Sequence, residues 1–132
     1  MQSEIKSALV SYLESLNLGL TLNYPNFELK TNIPAGDVTI HFNEPEVVTL
    51  GVGGEDNHDG FMQILLKYPV GEGDGALMAM ADTIRQAFLA GQSCSYGSQT
   101  VTIINCGLGT FDIWNSKFVC PITITWYART RR

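Results

Sequence analysis

Between Asp59 and Gly91 the apolar positions follow two periods in succession. Met62, Ile64, Leu66 and Tyr68 recur at every second residue, with Leu65 apolar on the other side. A strand apolar on both faces belongs inside a sheet rather than at its edge. Pro69 has no N–H to give a ladder, so pairing should stop there. Gly71, Gly73 and Gly75 let the backbone turn, and Asp74 is placed to cap the orphan N–H groups of a helix. Leu77, Ala81, Ile84 and Phe88 then fall on one helical face, and Gly91 is expected to end that helix at the C′ position. The spacing therefore predicts a central strand packed under its own helix.

The same patterns organise the rest of the chain. Residues 3–17 predict a first helix with Ser3 as N-cap and an apolar stripe of Ile5, Leu9, Tyr12, Leu13 and Leu16. Its polar face is not basic, so docking on a sheet is favoured over lying on a membrane. Leu20–Tyr24 reads as a short strand, and the proline-containing stretch after it as loop. Asp37–Phe42 alternates, with Val38, Ile40 and Phe42 on one face, and predicts a strand. Val47–Leu50 predicts another beyond the break at Glu44-Pro45-Glu46. The segment 51–60, GVGGEDNHDG, is too polar and glycine-rich to pack a core and is expected to be an exposed, mobile loop or hairpin tip. After Gly91 a small polar stretch precedes strands at Thr100–Cys106, Phe111–Trp114 and Phe118–Ala128. In the last of these Cys120, Ile122, Ile124 and Trp126 face one way, while Pro121, Thr123, Thr125 and Tyr127 face the other. Arg129, Arg131 and Arg132 lie in a short basic tail. The sum is an α+β fold, a mixed or antiparallel sheet with two helices packed on one face.

Composition narrows the function classes. The chain has 132 residues, 45 % apolar and 16 % charged, which suits one globular domain over 1–132 and argues against disorder. The formal net charge of −5 supplies no basic field to gather nucleic acid or an anionic membrane. No apolar run approaches the roughly 20 residues of a spanning helix, and the N-terminal stretch lacks a signal peptide's apolar core. The expectation is a protein made and kept in a cytosol, with Cys94, Cys106 and Cys120 as reduced thiols and no zinc or disulfide framework.

Each candidate for chemistry competes with a structural explanation. Gly71-x-Gly73-x-x-Ala76 matches a dinucleotide fingerprint, but Glu72 and Asp74 would set negative charge against a pyrophosphate, and no second βαβ unit follows. The turn reading wins. Glu55, Asp56, Asn57, His58 and Asp59 invite a calcium reading, yet the twelfth position of that register is Leu66 rather than Glu. Nucleophilic catalysis needs a base, and the two histidines are expected on an outer strand face (His41) and in the mobile loop (His58). No cofactor is expected. The three arginines could touch phosphates, but three arginines at a chain end more often form a solvated end.

The layout resembles the phage tail terminator-like (minor tail protein) family of long-tailed phages and prophages. The resemblance lies in Gly60-Phe61-Met62-Gln63-Ile64 leading through Tyr68-Pro69 to Gly71-Glu72-Gly73, then Ala81-Asp82-x-Ile84 with Phe88. It continues in Val119-Cys120-Pro121-Ile122-Thr123-Ile124 and Tyr127, with an N-terminal helix before a Pro25-Asn26-Phe27 loop. It implies a structural virion protein without an active site, built in the host bacterial cytoplasm. Such proteins form a ring, usually a hexamer, on the finished tail tube, ending tail polymerisation and offering the surface on which the head–tail connector docks. The expected partners are further copies of this chain, the tube protein and the connector, with no membrane partner and a passing contact with DNA. Gly51, Gly53, Gly54, Glu55, Asp56, Asn57, His58 and Asp59 are the candidate assembly interface, and Arg129, Arg131 and Arg132 the candidate contacts in the DNA channel. The alternatives are a head-to-tail joining protein and, from another class, a small cytosolic enzyme or ligand-binding domain.

Overall fold

The computed structural model describes residues 2–18, 21–24, 35–69, 75–110, 112–114 and 117–131. Two strands of fifteen residues, β4 (Glu55–Pro69) and β8 (Lys117–Arg131), form its axis. They pair antiparallel over their whole lengths, from Glu55 opposite Arg131 to Pro69 opposite Lys117. At roughly 3.3 Å per residue this ribbon is about 50 Å long. Each long strand has a broken partner on its outer side. β2 (Ala35–Phe42) and β3 (Glu46–Val47) both lie along β4, separated at Asn43-Glu44-Pro45. Pro45 cannot donate to a ladder, and the Asn43 N–H bridges the gap to the Asp59 carbonyl at 2.9 Å. On the far side β6 (Gln99–Leu108) and β7 (Asp112–Trp114) lie along β8 in the same manner. There the Gly109 N–H holds the Pro121 carbonyl at 2.7 Å.

Two short strands complete the sheet, β1 (Thr21–Asn23), parallel to β2, and β5 (Ser93–Tyr96), antiparallel to β6. The order is β1-β2-β4-β8-β6-β5, so the sheet is mixed through its β1–β2 pair alone. Two helices, α1 (Gln2–Ser15) and α2 (Gly75–Ala87), pack on one face of it. Ile5, Ala8, Leu9 and Leu13 of α1, Leu77, Ala81 and Ile84 of α2, and Phe88 just beyond it belong to one core with the inward side chains of the sheet. Those are Val38, then Met62, Ile64 and Leu66, then Cys120, Ile122, Ile124 and Trp126. Fully burying each large side chain contributes roughly 1.5–3 kcal/mol. The α+β expectation, with both helices on one face, is met.

Several local expectations are corrected. Ser3 is not an N-cap, because α1 begins at Gln2 and places Ser3 inside the first turn. Asn17, at φ 49°, supplies the left-handed residue after α1. Gly91 is not the C′ residue of α2, which ends at Ala87. It sits instead third in a turn closed by the Gln92 N–H on the Leu89 carbonyl, at φ 88°, a conformation glycine adopts without strain. The polar stretch after it is not loop but β5, turned back on β6 at Gly97 and Ser98. Only Val47 of the expected Val47–Leu50 strand is paired. Pro25, Asn26 and Phe27, the turn residues Gly71 and Gly73, the cap Asp74 and the terminal Arg132 lie outside the described residues.

Candidate assembly surface

The expected mobile loop 51–60 divides into two parts. Glu55 to Gly60 is not loop at all but the first third of β4, each residue opposite one of β8. Strand alternation sends Asp56 and His58 to the face opposite Glu55, Asn57 and Asp59, so these side chains do not converge as a calcium loop requires. His58 is 7 % exposed, and its Nε2 lies 2.9 Å from Thr130 Oγ1. Its Nδ1 and the Trp126 indole Nε1 are the two buried side-chain polar atoms among the described residues that have no hydrogen-bond partner. Sequence reasoning put His58 in solvent because its neighbours are polar. The alternation that buries it begins further along, at Gly60 and Met62.

The remaining part, with Gly51, Gly53 and Gly54, is a closed hairpin tip. The Val48 and Thr49 N–H groups both donate to the Glu55 carbonyl, at 2.9 and 3.1 Å. The Glu55 N–H returns to Thr49 Oγ1 at 2.7 Å, and the Gly54 N–H to the Gly51 carbonyl at 3.2 Å. Gly53, at φ 81°, takes the third position of that last turn. This well-bonded tip holds aliphatic side chains out in water. Leu50 and Val52 are almost wholly exposed, and Val47 and Val48 are 59 % and 43 % exposed. Four large apolar groups exposed together at the end of the ribbon make this tip a candidate interaction surface. The candidate list of glycines and acids passed over all four. The available signal was the recurrence of Val47, Val48, Leu50 and Val52 in a short segment bounded by Pro45 and by Gly51, Gly53 and Gly54.

The presumed basic tail is likewise strand. Ala128 to Arg131 pairs with β4 up to Glu55, so the two sets of candidate residues lie side by side. Arg129 is exposed, but its Nε donates to Asn57 Oδ1 at 3.2 Å and its Nη1 lies 3.8 Å from Glu55 Oε2. The Arg131 backbone stands opposite Glu55.

The outer face of the sheet is the one without helices. Along it Phe61 and Gln63 run beside His41 and Thr39 on one side and Thr125 and Thr123 on the other, an uncharged patch, and Leu65 follows between Asp37 and Pro121. His41 stacks on Phe61 with ring centroids 4.5 Å apart, on the outer face where alternation placed it. At one end of this face Lys67 Nζ meets Asp37 Oδ2 at 2.5 Å, and Asn23 Nδ2 donates to Asp37 Oδ1 at 3.0 Å. The three cysteines are free thiols, and burial pushes all three up, Cys94 to about 11. That direction is opposite to the one a thiolate nucleophile needs. Among the described residues no cluster of His, Cys, Asp and Glu could hold a metal ion, and no helix is long and apolar enough to cross a membrane.

Comparison with known proteins agrees with the layout. No curated protein matches the chain. A solved structure is similar over 97 % of this chain and 95 % of its own, with a TM-score of 0.74 and 15 % identity, a likeness of fold alone. The family model described as "Phage tail terminator protein" matches residues 4–126, from the first turn of α1 to Trp126 near the end of β8. The chain therefore belongs to the phage tail terminator family and is a structural component of a phage tail.

Proposed function

We propose that this protein closes into a ring, with six subunits as the expected number, on the finished end of the tail tube. There it stops further addition of tube subunits and offers the surface on which the head–tail connector docks. The observation that carries the reading, beside family membership, is the hairpin tip. A structured turn that exposes Leu50 and Val52 costs solubility unless a partner covers it. The tip lies beyond the core shared by α1, α2 and the sheet, and nothing among the described residues covers it. A ring needs a heterologous interface whose rotation closes, and the tip is one half of such an interface. Glu55 and Asn57 already engage Arg129, so a passing contact of this arginine with DNA would exchange those partners for phosphate oxygens.

Electron microscopy of lysates from a phage lacking this gene tests the reading. Overlong, headless tails are expected. Tails of normal length that fail to join heads would assign the protein to head-to-tail joining instead, and ordinary virions would overturn both roles.

A further inference from the structure

We propose that the hairpin tip of one subunit seats in a trough of the next, between α1 and the rim of β2. The proposal rests on the ring reading and names the two surfaces that make it. The trough is lined by Lys6 and Tyr24 with Val38, Ile40 and Phe42 of β2, and has a volume of about 200 Å³. A cavity of about 150 Å³ accepts a benzene ring, so this one takes the Leu50 and Val52 side chains together. Ile40 and Phe42 point to the core side of the sheet, yet both stay only partly buried. Their exposed remainder is apolar surface of the kind the tip would cover.

Charge selects the same match. Among the described residues Lys6 makes no ion pair and is the one charged side chain lining the trough. The strand leading to the tip carries Glu44 and Glu46, both exposed and equally without an ion-pair partner there. The tip cannot fill its own trough. Phe42 stands opposite Gly60 on β4, whereas Val47 is already opposite Asp56 and Leu50 lies further on. That places the tip more than about 15 Å from Phe42 along the ribbon and pointing away from it. Tip and trough are different patches, so contact between them runs head to tail and generates a closed ring or an open filament. The occupant is therefore a second copy of this chain.

The test uses tails from a gene-deleted phage complemented with variants, on a Cys106→Ser background that removes the partly exposed thiol. Complementation by the wild-type gene that shortens overlong tails establishes independently the tail-length role on which the ring reading rests. On that footing, Leu50→Cys combined with Ile40→Cys should give a ladder of disulfide-linked multimers in oxidised tails. Either cysteine alone should give none, and neither should Leu50→Cys with Met78→Cys on the exposed side of α2. Lys6→Glu and Glu46→Lys should each lose tail-length control, and the double variant should recover it. Capped tails of native length whose doubly substituted chain stays monomeric would overturn the tip-in-trough contact while leaving the ring intact. A ladder of equal strength with Met78→Cys, or a double charge variant no better than the single ones, would overturn it as well. Tails of normal length in the deletion would overturn the contact and the ring together.

Discussion

Gly60 stands opposite Trp126 in the central ladder, and the indole Cζ2 lies 3.0 Å from where a Cβ on residue 60 would be. The same Cβ would fall well inside contact distance of the His41 carbonyl oxygen, a backbone atom of the paired strand β2. The missing side chain is what lets Trp126 lie across the strand and meet Phe42, with ring centroids 5.2 Å apart at 74°. Gly60→Ala is expected to lower the urea midpoint by an amount worth about 1–3 kcal/mol, the usual cost of overpacking. Gly107→Ala is the control. No atom lies within 4 Å of its added Cβ, so its midpoint should scarcely move. Equal midpoints for the two variants would show that the ladder at Gly60 has room to spread.

Tyr12 joins the two helices. Its hydroxyl donates to the Ala87 carbonyl at 2.6 Å, while its ring meets Phe88 edge to face at 5.1 Å and 83°. Ala87 is the last residue of α2, where carbonyls lose their intrahelical partners. Tyr12→Phe keeps the ring contact and strands that carbonyl, so it should cost about 1 kcal/mol. Tyr12→Ala removes both contacts and should cost clearly more. Denaturant unfolding of the two variants separates the hydrogen bond from the packing, and identical losses would contradict the division.

The inner half of this fold was legible because period-two and helical patterns survive wherever a face is buried. Met62, Ile64 and Leu66, and Ile122, Ile124 and Trp126, were assigned to the correct face, as were Leu77, Ala81, Ile84 and Phe88. The errors cluster where polar residues are held by pairing rather than by burial. Glu55 to Asp59 are strand because Thr130, Arg129 and Tyr127 lie opposite them in β8, and no local propensity announces a partner some seventy residues away. Ser93–Tyr96 is strand for the same reason, paired with Gln99–Thr102. At the hairpin tip the sequence drew attention to the wrong exposed groups. Glycines and acids drew attention, whereas the exposed groups are Leu50 and Val52, valued in sequence reading as core formers.

Leu50 and Val52 contribute little to the folded subunit, because they are solvated before and after folding. The double substitution Leu50→Ser, Val52→Ser should therefore shift stability by no more than about 0.5 kcal/mol, as surface changes do. In complemented lysates the same variant should leave tails overlong. Thermal unfolding and tail-length measurement on one preparation check both halves. A large stability loss would mean the tip packs within the subunit, and normal tails would remove it from the assembly surface.

Alkaline pH should weaken the fold through its buried thiols and tyrosines. Burial raises the Cys94 thiol from its ordinary value of 9.0 to about 11. The unfolded chain thus releases this proton first, and the stability tied to the neutral thiol is whole below about pH 9. It is lost progressively as pH rises through about 11. Tyr24, raised by burial and by its hydrogen bond to Glu14, shifts in the same direction, as do Tyr12 and Tyr68 through burial. Their ordinary value is 10.0, so they extend the decline to higher pH. Urea midpoints measured from neutral pH to about pH 11 should fall, with the slope beginning near pH 9. Cys94→Ala keeps the site small and apolar while removing the thiol. It should reduce the first part of that slope, to which Cys106 and Cys120 also contribute, and leave the later, tyrosine part in place. An unchanged slope in the variant would mean that Cys94 is already solvated in the native subunit, against its 6 % exposure.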